Sequence, residues 1–189
     1  MSFYIMRQDA SVEGSCALDG LPDNMDSLEW MQGRHMPSPS PDRKLILDLS
    51  LESGDYRGDI IDGFLTLYSD DLKGALEQQG VDNIEYFPVG LRDQNTNTLE
   101  GGYSIANIIG LLDCVDMEKS KVKWRRSGRG FHFLSMVLDE RKTHGAKLFR
   151  LGADPTKVII NEDLKQYLVD ETDLLVGVKI MRTEDYADF

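Results

Sequence analysis

One pattern constrains this chain more than any other: a strand–cap–helix–strand unit that occurs twice, 92 positions apart. In the first copy Gly63-Phe64-Leu65-Thr66-Leu67-Tyr68 reads as a strand. Ser69 follows as an N-cap whose hydroxyl can accept an orphan backbone N–H, and Asp70 and Asp71 suit the positive end of the helix. Leu72, Ala75 and Leu76 form an apolar stripe, Gly80 can close the helix, and residues 84–89 return as an apolar extended run. In the second copy Lys157-Val158-Ile159-Ile160 is the strand, Asn161 is the cap, and residues 174–180 close the unit. Asp163, Leu164, Lys165 and Leu168 repeat Asp71, Leu72, Lys73 and Leu76. Identities at matched places in the same order of elements predict two related units and an internal duplication.

The remainder is strand-rich. Phe3-Tyr4-Ile5-Met6 reads as a short strand, and Leu45, Leu47, Leu49 and Leu51 alternate with Lys44, Ile46, Asp48 and Ser50. Between them, from about Ser11 to Arg43, Gly, Pro, Ser and Asp dominate. Met36-Pro37-Ser38-Pro39-Ser40-Pro41 excludes helix and central strand, so this stretch predicts a long irregular surface excursion. The acidic tail, residues 183–189, predicts a loose end. Strands throughout, with helices in two places only, predict an α+β fold: strand-rich, with two related strand–helix–strand units around a mixed or antiparallel sheet. The 189 residues suit one domain, 1–189, with two lobes at about 1–118 and 119–189.

Charge is unevenly spread. The chain carries −12 overall, but residues 1–118 hold 7 basic against 22 acidic side chains, a net of −15. Residues 119–189 hold 14 against 11, a net of +3. Such a field repels nucleic acid and anionic membrane and speeds encounter with a basic partner. Lys119, Lys121, Lys123, Arg125, Arg126 and Arg129 cluster where Ser120, Val122 and Trp124 alternate with the lysines. That spacing predicts a strand with one solvated face, followed by a hairpin connection through residues 125–130, with phosphate binding as the sharper alternative for the cluster.

Catalytic and metal signatures are missing. His35, His132 and His144 stand far apart, and HExxH, CxxC, DxDxDG, GxSxG and phosphate-loop motifs do not occur. Asp113 and Asp116 read as brackets around an apolar strand end, and Cys16 and Cys114 as two buried reduced thiols. The expectation is no catalytic, metal or cofactor residue. The N-terminal residues lack a basic-then-apolar leader and no window is a membrane span, which predicts a cytoplasmic protein. Trp30, in Asp26-Ser27-Leu28-Glu29-Trp30-Met31, has two readings: an interface anchor, or a plug set into the core from a loop.

Taken in order, Tyr4, the loop with Trp30, Ile84-Glu85-Tyr86-Phe87-Pro88-Val89, Tyr103-Ser104-Ile105-Ala106-Asn107, Leu112-Asp113-Cys114-Val115-Asp116, Lys147-Leu148-Phe149-Arg150-Leu151 and the segment from Val158 to Leu164 resemble the bacterial polymorphic-toxin immunity family numbered eleven. The resemblance spans about residues 3–180. It implies a cytoplasmic immunity protein that binds and neutralises a cognate secreted toxin without catalysis of its own, and it carries no catalytic residues across.

The acidic stretch suggests where such a toxin would be met: Asp19, Asp23, Asp26, Glu29 and Trp30 are the candidate toxin-binding residues. A different class, a small-ligand binder or enzyme, would need a pocket between the lobes lined by Tyr86, Tyr103 and His132. A third reading is a structural subunit that forms a homo-oligomer through its repeated halves.

Overall fold

Side chains alternate along a strand, so a long strand has two faces to cover; here both are buried. The computed structural model describes residues 1–22, 25–37, 45–126, 130–170 and 175–187. One five-stranded sheet runs in the order β12 (Val178–Arg182), β1 (Phe3–Gln8), β11 (Asp154–Asn161), β10 (Leu148–Leu151), β7 (Leu111–Leu112). The second runs β2 (Leu45–Asp48), β5 (Ile84–Asp93), β6 (Thr98–Ile108), β4 (Thr66–Ser69), β3 (Ile60–Asp62). Both are mixed: the β10–β7 and β2–β5 pairs are parallel and the other pairs antiparallel. A separate antiparallel hairpin joins β8 (Lys121–Trp124) and β9 (Phe131–Ser135).

The two units share a topology as well as residues. Helix α1 (Asp70–Gln78) follows β4, and helix α2 (Glu162–Asp170) follows β11. In each unit the strand after the helix runs parallel to the strand before it, with one antiparallel strand between: β6 between β4 and β5, and β1 between β11 and β12. Both expected caps form. The Ser69 hydroxyl accepts from the Leu72 N–H at 3.0 Å and the Asn161 Oδ1 from the Leu164 N–H at 2.9 Å. At the end of α1, Gly80 adopts φ +70° while its N–H reaches the Glu77 carbonyl and the Val81 N–H the Leu76 carbonyl. That is the paired closure an αL glycine permits. Even the matched lysines act alike: Lys73 lies 5.0 Å from the Tyr86 ring centroid and Lys165 5.7 Å from that of Tyr4.

The alternation sorts the core into three clusters. Tyr4, Met6, Val158 and Ile160 of the first sheet meet Ile60, Tyr68, Ala106 and Ile108 of the second, together with Leu72, Leu76, Leu164 and Leu168 of the helices. The opposite face of the first sheet, Phe3, Ile5, Phe149 and Ile159, packs against Phe133 and Met136. The opposite face of the second, Leu47, Leu67, Phe87 and Ile105, packs against Cys16, Leu18 and Trp30.

Three expectations change. The strand expected over 63–68 begins only at Thr66, because the Gly63 N–H bonds to the Leu65 carbonyl and residues 63–65 make the turn from β3. The tail is docked: Thr183 and Tyr186 are buried, and the Thr183 carbonyl accepts from the Met136 N–H at 3.0 Å. Its last two residues lie outside the described residues, as do Leu174 and residues 38–41 of the proline-rich run. The described part of the excursion is irregular as expected, yet it is also an apolar cover over the second sheet.

Candidate partner-binding surface

The cover owes its form to a few apolar side chains set in a polar segment. Ser15 bridges Tyr56 and Leu18 bridges Leu49, which tie the segment to the rim of the second sheet. Further on, the Asp26 Oδ1 accepts the Leu28 N–H at 2.9 Å and leads into a single 3₁₀ turn, Glu29–Met31. The turn drives Trp30 inward, where its ring meets Phe87 edge-on with centroids 5.1 Å apart at 89°. Such a contact adds about 0.5–1.5 kcal/mol to the burial itself.

Residues 34–36 are clipped down by one carboxylate. Glu85, on β5, has Oε1 2.7 Å from His35 Nδ1, while its Oε2 accepts the Met36 N–H at 3.0 Å and Asn107 Nδ2 at 2.9 Å. Asn107 also donates to the Arg34 carbonyl at 3.0 Å. Partial burial works to raise the Glu85 pKa, but the bonds from His35, Met36 and Asn107 outweigh it and hold the carboxyl below its ordinary value.

The candidate residues fall into different places on this frame. Asp19 is exposed; its N–H reaches the Asp48 carbonyl at 2.8 Å, and its Oδ2 accepts from Gln94 Nε2 at 2.7 Å. Asp26 and Glu29 are exposed, and Asp23 lies outside the described residues. Trp30 is 9% exposed, so of its two readings the structure takes the core plug. Its ring cannot face a partner without leaving Phe87. Buried there, it anchors the turn that contains Glu29 and follows Asp26.

Residues 20–184 match the model of the Immunity protein family (Imm11). The chain belongs to that family. A search of curated proteins found no match. The match begins within the acidic cover of this Imm11-family chain and takes in every strand from β2 to β12 and both helices.

Cys16 and Cys114 are buried free thiols, and burial raises both, Cys114 to about 11. Among the described residues no group of three His, Cys, Asp or Glu side chains is placed to hold a metal ion, and no helix is long and apolar enough to cross a membrane. Nor do Tyr86, Tyr103 and His132 line one pocket, which corrects that expectation. Tyr86 packs on the shared core, Tyr103 on the core beneath the cover with its hydroxyl donating to the Gly58 carbonyl at 2.8 Å, and His132 lies on β9. Tyr86 and Tyr103 sit on opposite faces of the second sheet, and His132 on the hairpin.

Two buried polar groups in the Imm11-family fold were not singled out in the sequence. Asp59 accepts the Ser69 hydroxyl at 2.6 Å and the Val176 N–H at 2.7 Å, joining the first cap to a segment 117 positions away. Arg150, 2% exposed, donates to the Pro155 carbonyl at 2.8 Å. Nothing local marks either residue, since an Asp before a strand and an Arg within one are ordinary surface patterns.

Proposed function

We propose that this Imm11-family chain binds a cognate secreted bacterial toxin and neutralises it, by laying its acidic cover against a basic surface of that toxin. One observation carries the reading: Asp19, Asp26 and Glu29 stand exposed on a segment whose Cys16, Leu18 and Trp30 are buried in the core. A segment ordered in advance does not bear the full cost of ordering on association. A net of −15 over residues 1–118 steers a basic partner inward and works against nucleic acid and anionic membrane. Neutralisation of this kind needs no catalysis, cofactor or metal from the chain. It is required in the bacterial cytoplasm, where an arriving toxin would act.

Co-expression with the product of the neighbouring reading frame tests the reading, with growth rescue and co-purification as readouts. The wild-type chain is expected to rescue growth and to co-purify. A triple variant, Asp19→Lys, Asp26→Lys and Glu29→Lys, is expected to melt like the wild type and to lose toxin affinity by ~10–100-fold, with a flatter dependence on salt. Rescue with unchanged affinity in the triple variant would move the contact off the cover. No complex and no rescue by the wild type would remove the antidote reading itself.

A further inference from the structure

The two sheets share one apolar core, and at one end that core turns polar. On β1 the shared face carries Tyr4 and Met6 and continues to Gln8; on β11 it carries Ile160 and Val158 and continues to Thr156. Opposite them, the shared face of β3 and β4 passes from the Ile60–Tyr68 pair to the Asp62–Thr66 pair. Arg150 follows Leu148 on the same face of β10. Met31, from the turn of the acidic cover, helps these polar residues line a cavity of about 300 Å³.

Arg150 is 2% exposed, and its guanidinium has more donors than the protein answers. Nη1 donates to the Pro155 carbonyl at 2.8 Å, while Nη2 reaches the Thr66 hydroxyl only at 3.5 Å, beyond ordinary hydrogen-bond length. The buried Nε–H has no partner, and among the described residues no carboxylate forms an ion pair with the guanidinium. Burial lowers its pKa, with Tyr68 and Asp62 acting the other way. Asp62 faces the same cavity, where its Oδ2 accepts the Gln8 N–H at 2.8 Å. Burial raises its pKa, against the pull of Gln8, Thr66, Arg150 and Arg7. A guanidinium and a carboxylate thus line one cavity, each favouring the other's charge, without meeting. Arg7 and Lys157 also reach it, but each is answered: Arg7 by Asp9 and Asp62, Lys157 by Asp154 at 3.1 Å and by Tyr186.

Two opposite charges held apart across a cavity match a ligand that carries both. We propose that this cavity binds a free α-amino acid, its carboxylate accepting from Nε–H and Nη2–H of Arg150 and its ammonium donating to Asp62. The match is one of charge pattern and requires no net charge in the cavity. Met6 and Met31 give the ligand's side chain an apolar wall. The volume lies at the low end of the roughly 300–1,000 Å³ of small-molecule sites, which suits an amino acid better than a nucleotide. The site does not depend on toxin binding.

The test is calorimetric titration of the purified chain with glycine, L-alanine, L-serine and L-leucine, each beside the amine and the acid that carry only one of its two charges. At least one amino acid is expected to bind saturably and one to one. It should bind at least about tenfold more tightly than either single-charge analogue, a difference of about 1.4 kcal/mol. Truncating Arg150 would strip a large buried side chain from the fold, so the variant is Asp62→Asn, which keeps the shape and an acceptor for the Gln8 N–H. That protein should bind the amino acid at least about tenfold more weakly and the acid analogue at least as well as the wild type does. Failure of all four amino acids to bind overturns the site, the cavity then holding water alone. An amine or an acid that binds as tightly as its amino acid overturns it too, as does an Asp62→Asn protein that melts like the wild type and keeps its affinity. If that variant fails to fold, the ranking of amino acid over analogues in the wild type decides.

Discussion

Two covers close the outer faces of the two sheets, and each contains a tryptophan. In the acidic cover Trp30 is 9% exposed and packs on Phe87; in the basic hairpin Trp124 is 62% exposed and meets only the edge of Phe131, at 5.3 Å between centroids. The hairpin inserts Phe133 instead, which is 2% exposed. The same residue type thus belongs to the core in one cover and to the surface in the other. The charged neighbours do not decide which: the Trp set among carboxylates is buried, and the Trp set among lysines stays exposed although it lies opposite Phe131, on the face that also carries Val122 and Phe133. A 3₁₀ turn aims Trp30 down, while strand alternation puts Phe133 on the covered side of β9.

The contrast breaks most clearly in the cores. Trp30→Ala should cost about 3–5 kcal/mol, as expected of a large aromatic removed from a packed site. Urea unfolding measures it, and a loss below about 1 kcal/mol would mean that the acidic cover rides on the sheet without belonging to its core. A second pair carries the comparison inward to the two helices. Asn161→Ala removes one cap bond and should cost about 1–2 kcal/mol. Ser69→Ala removes a cap bond and also leaves the buried Asp59 short of a donor, so about 2–3 kcal/mol is expected. Equal losses in the two variants would show that Asp59 finds another partner.

Acid should act on one cover before the other. The folded-state pKa of Glu85 lies below its unfolded value, so the stability it lends the cover is fully present above that unfolded value and is lost as pH falls through the folded one. Amide exchange at residues 34–36 should therefore accelerate on acidification through that window, ahead of exchange in β8 and β9. Simultaneous loss in both would show that Glu85 is not the clip. The smallest effect belongs to Trp124→Ala, which should shift stability by no more than about 0.5 kcal/mol, read in the same urea series. A larger loss would make the hairpin's outer Trp a part of the core and erase the contrast.

Much of the fold was legible because local chemistry decides it. Ser69 and Asn161 announce their helices, Gly80 its closure, and the alternation of Lys121, Val122 and Lys123 a strand with a solvated face, although Trp124, on the Val122 face, is exposed as well. Illegible were the features set by partners far away in sequence. Strand β3 is three residues long and too short to show a period. The tail looks disposable until Thr183 meets Met136 and Tyr186 enters the core. For the candidate surface, acidity placed Asp19, Asp26 and Glu29 outside, but no period or motif told whether Trp30 faced in or out.

The position of β1 also sets a timetable for synthesis. That strand lies between β12 at the edge of the first sheet and β11 at its centre, and both neighbours are built from residues 154–182. At about 5–20 residues per second, on the order of ten to thirty seconds separate the emergence of β1 from that of β12. The second sheet, all of it within residues 45–108, can close during that interval. Phe3, Tyr4, Ile5 and Met6 meanwhile wait without a sheet to join, so a strand translated early is among the last to be paired. A nascent chain stalled before residue 178 would offer chaperones and proteases an apolar strand that the finished protein hides.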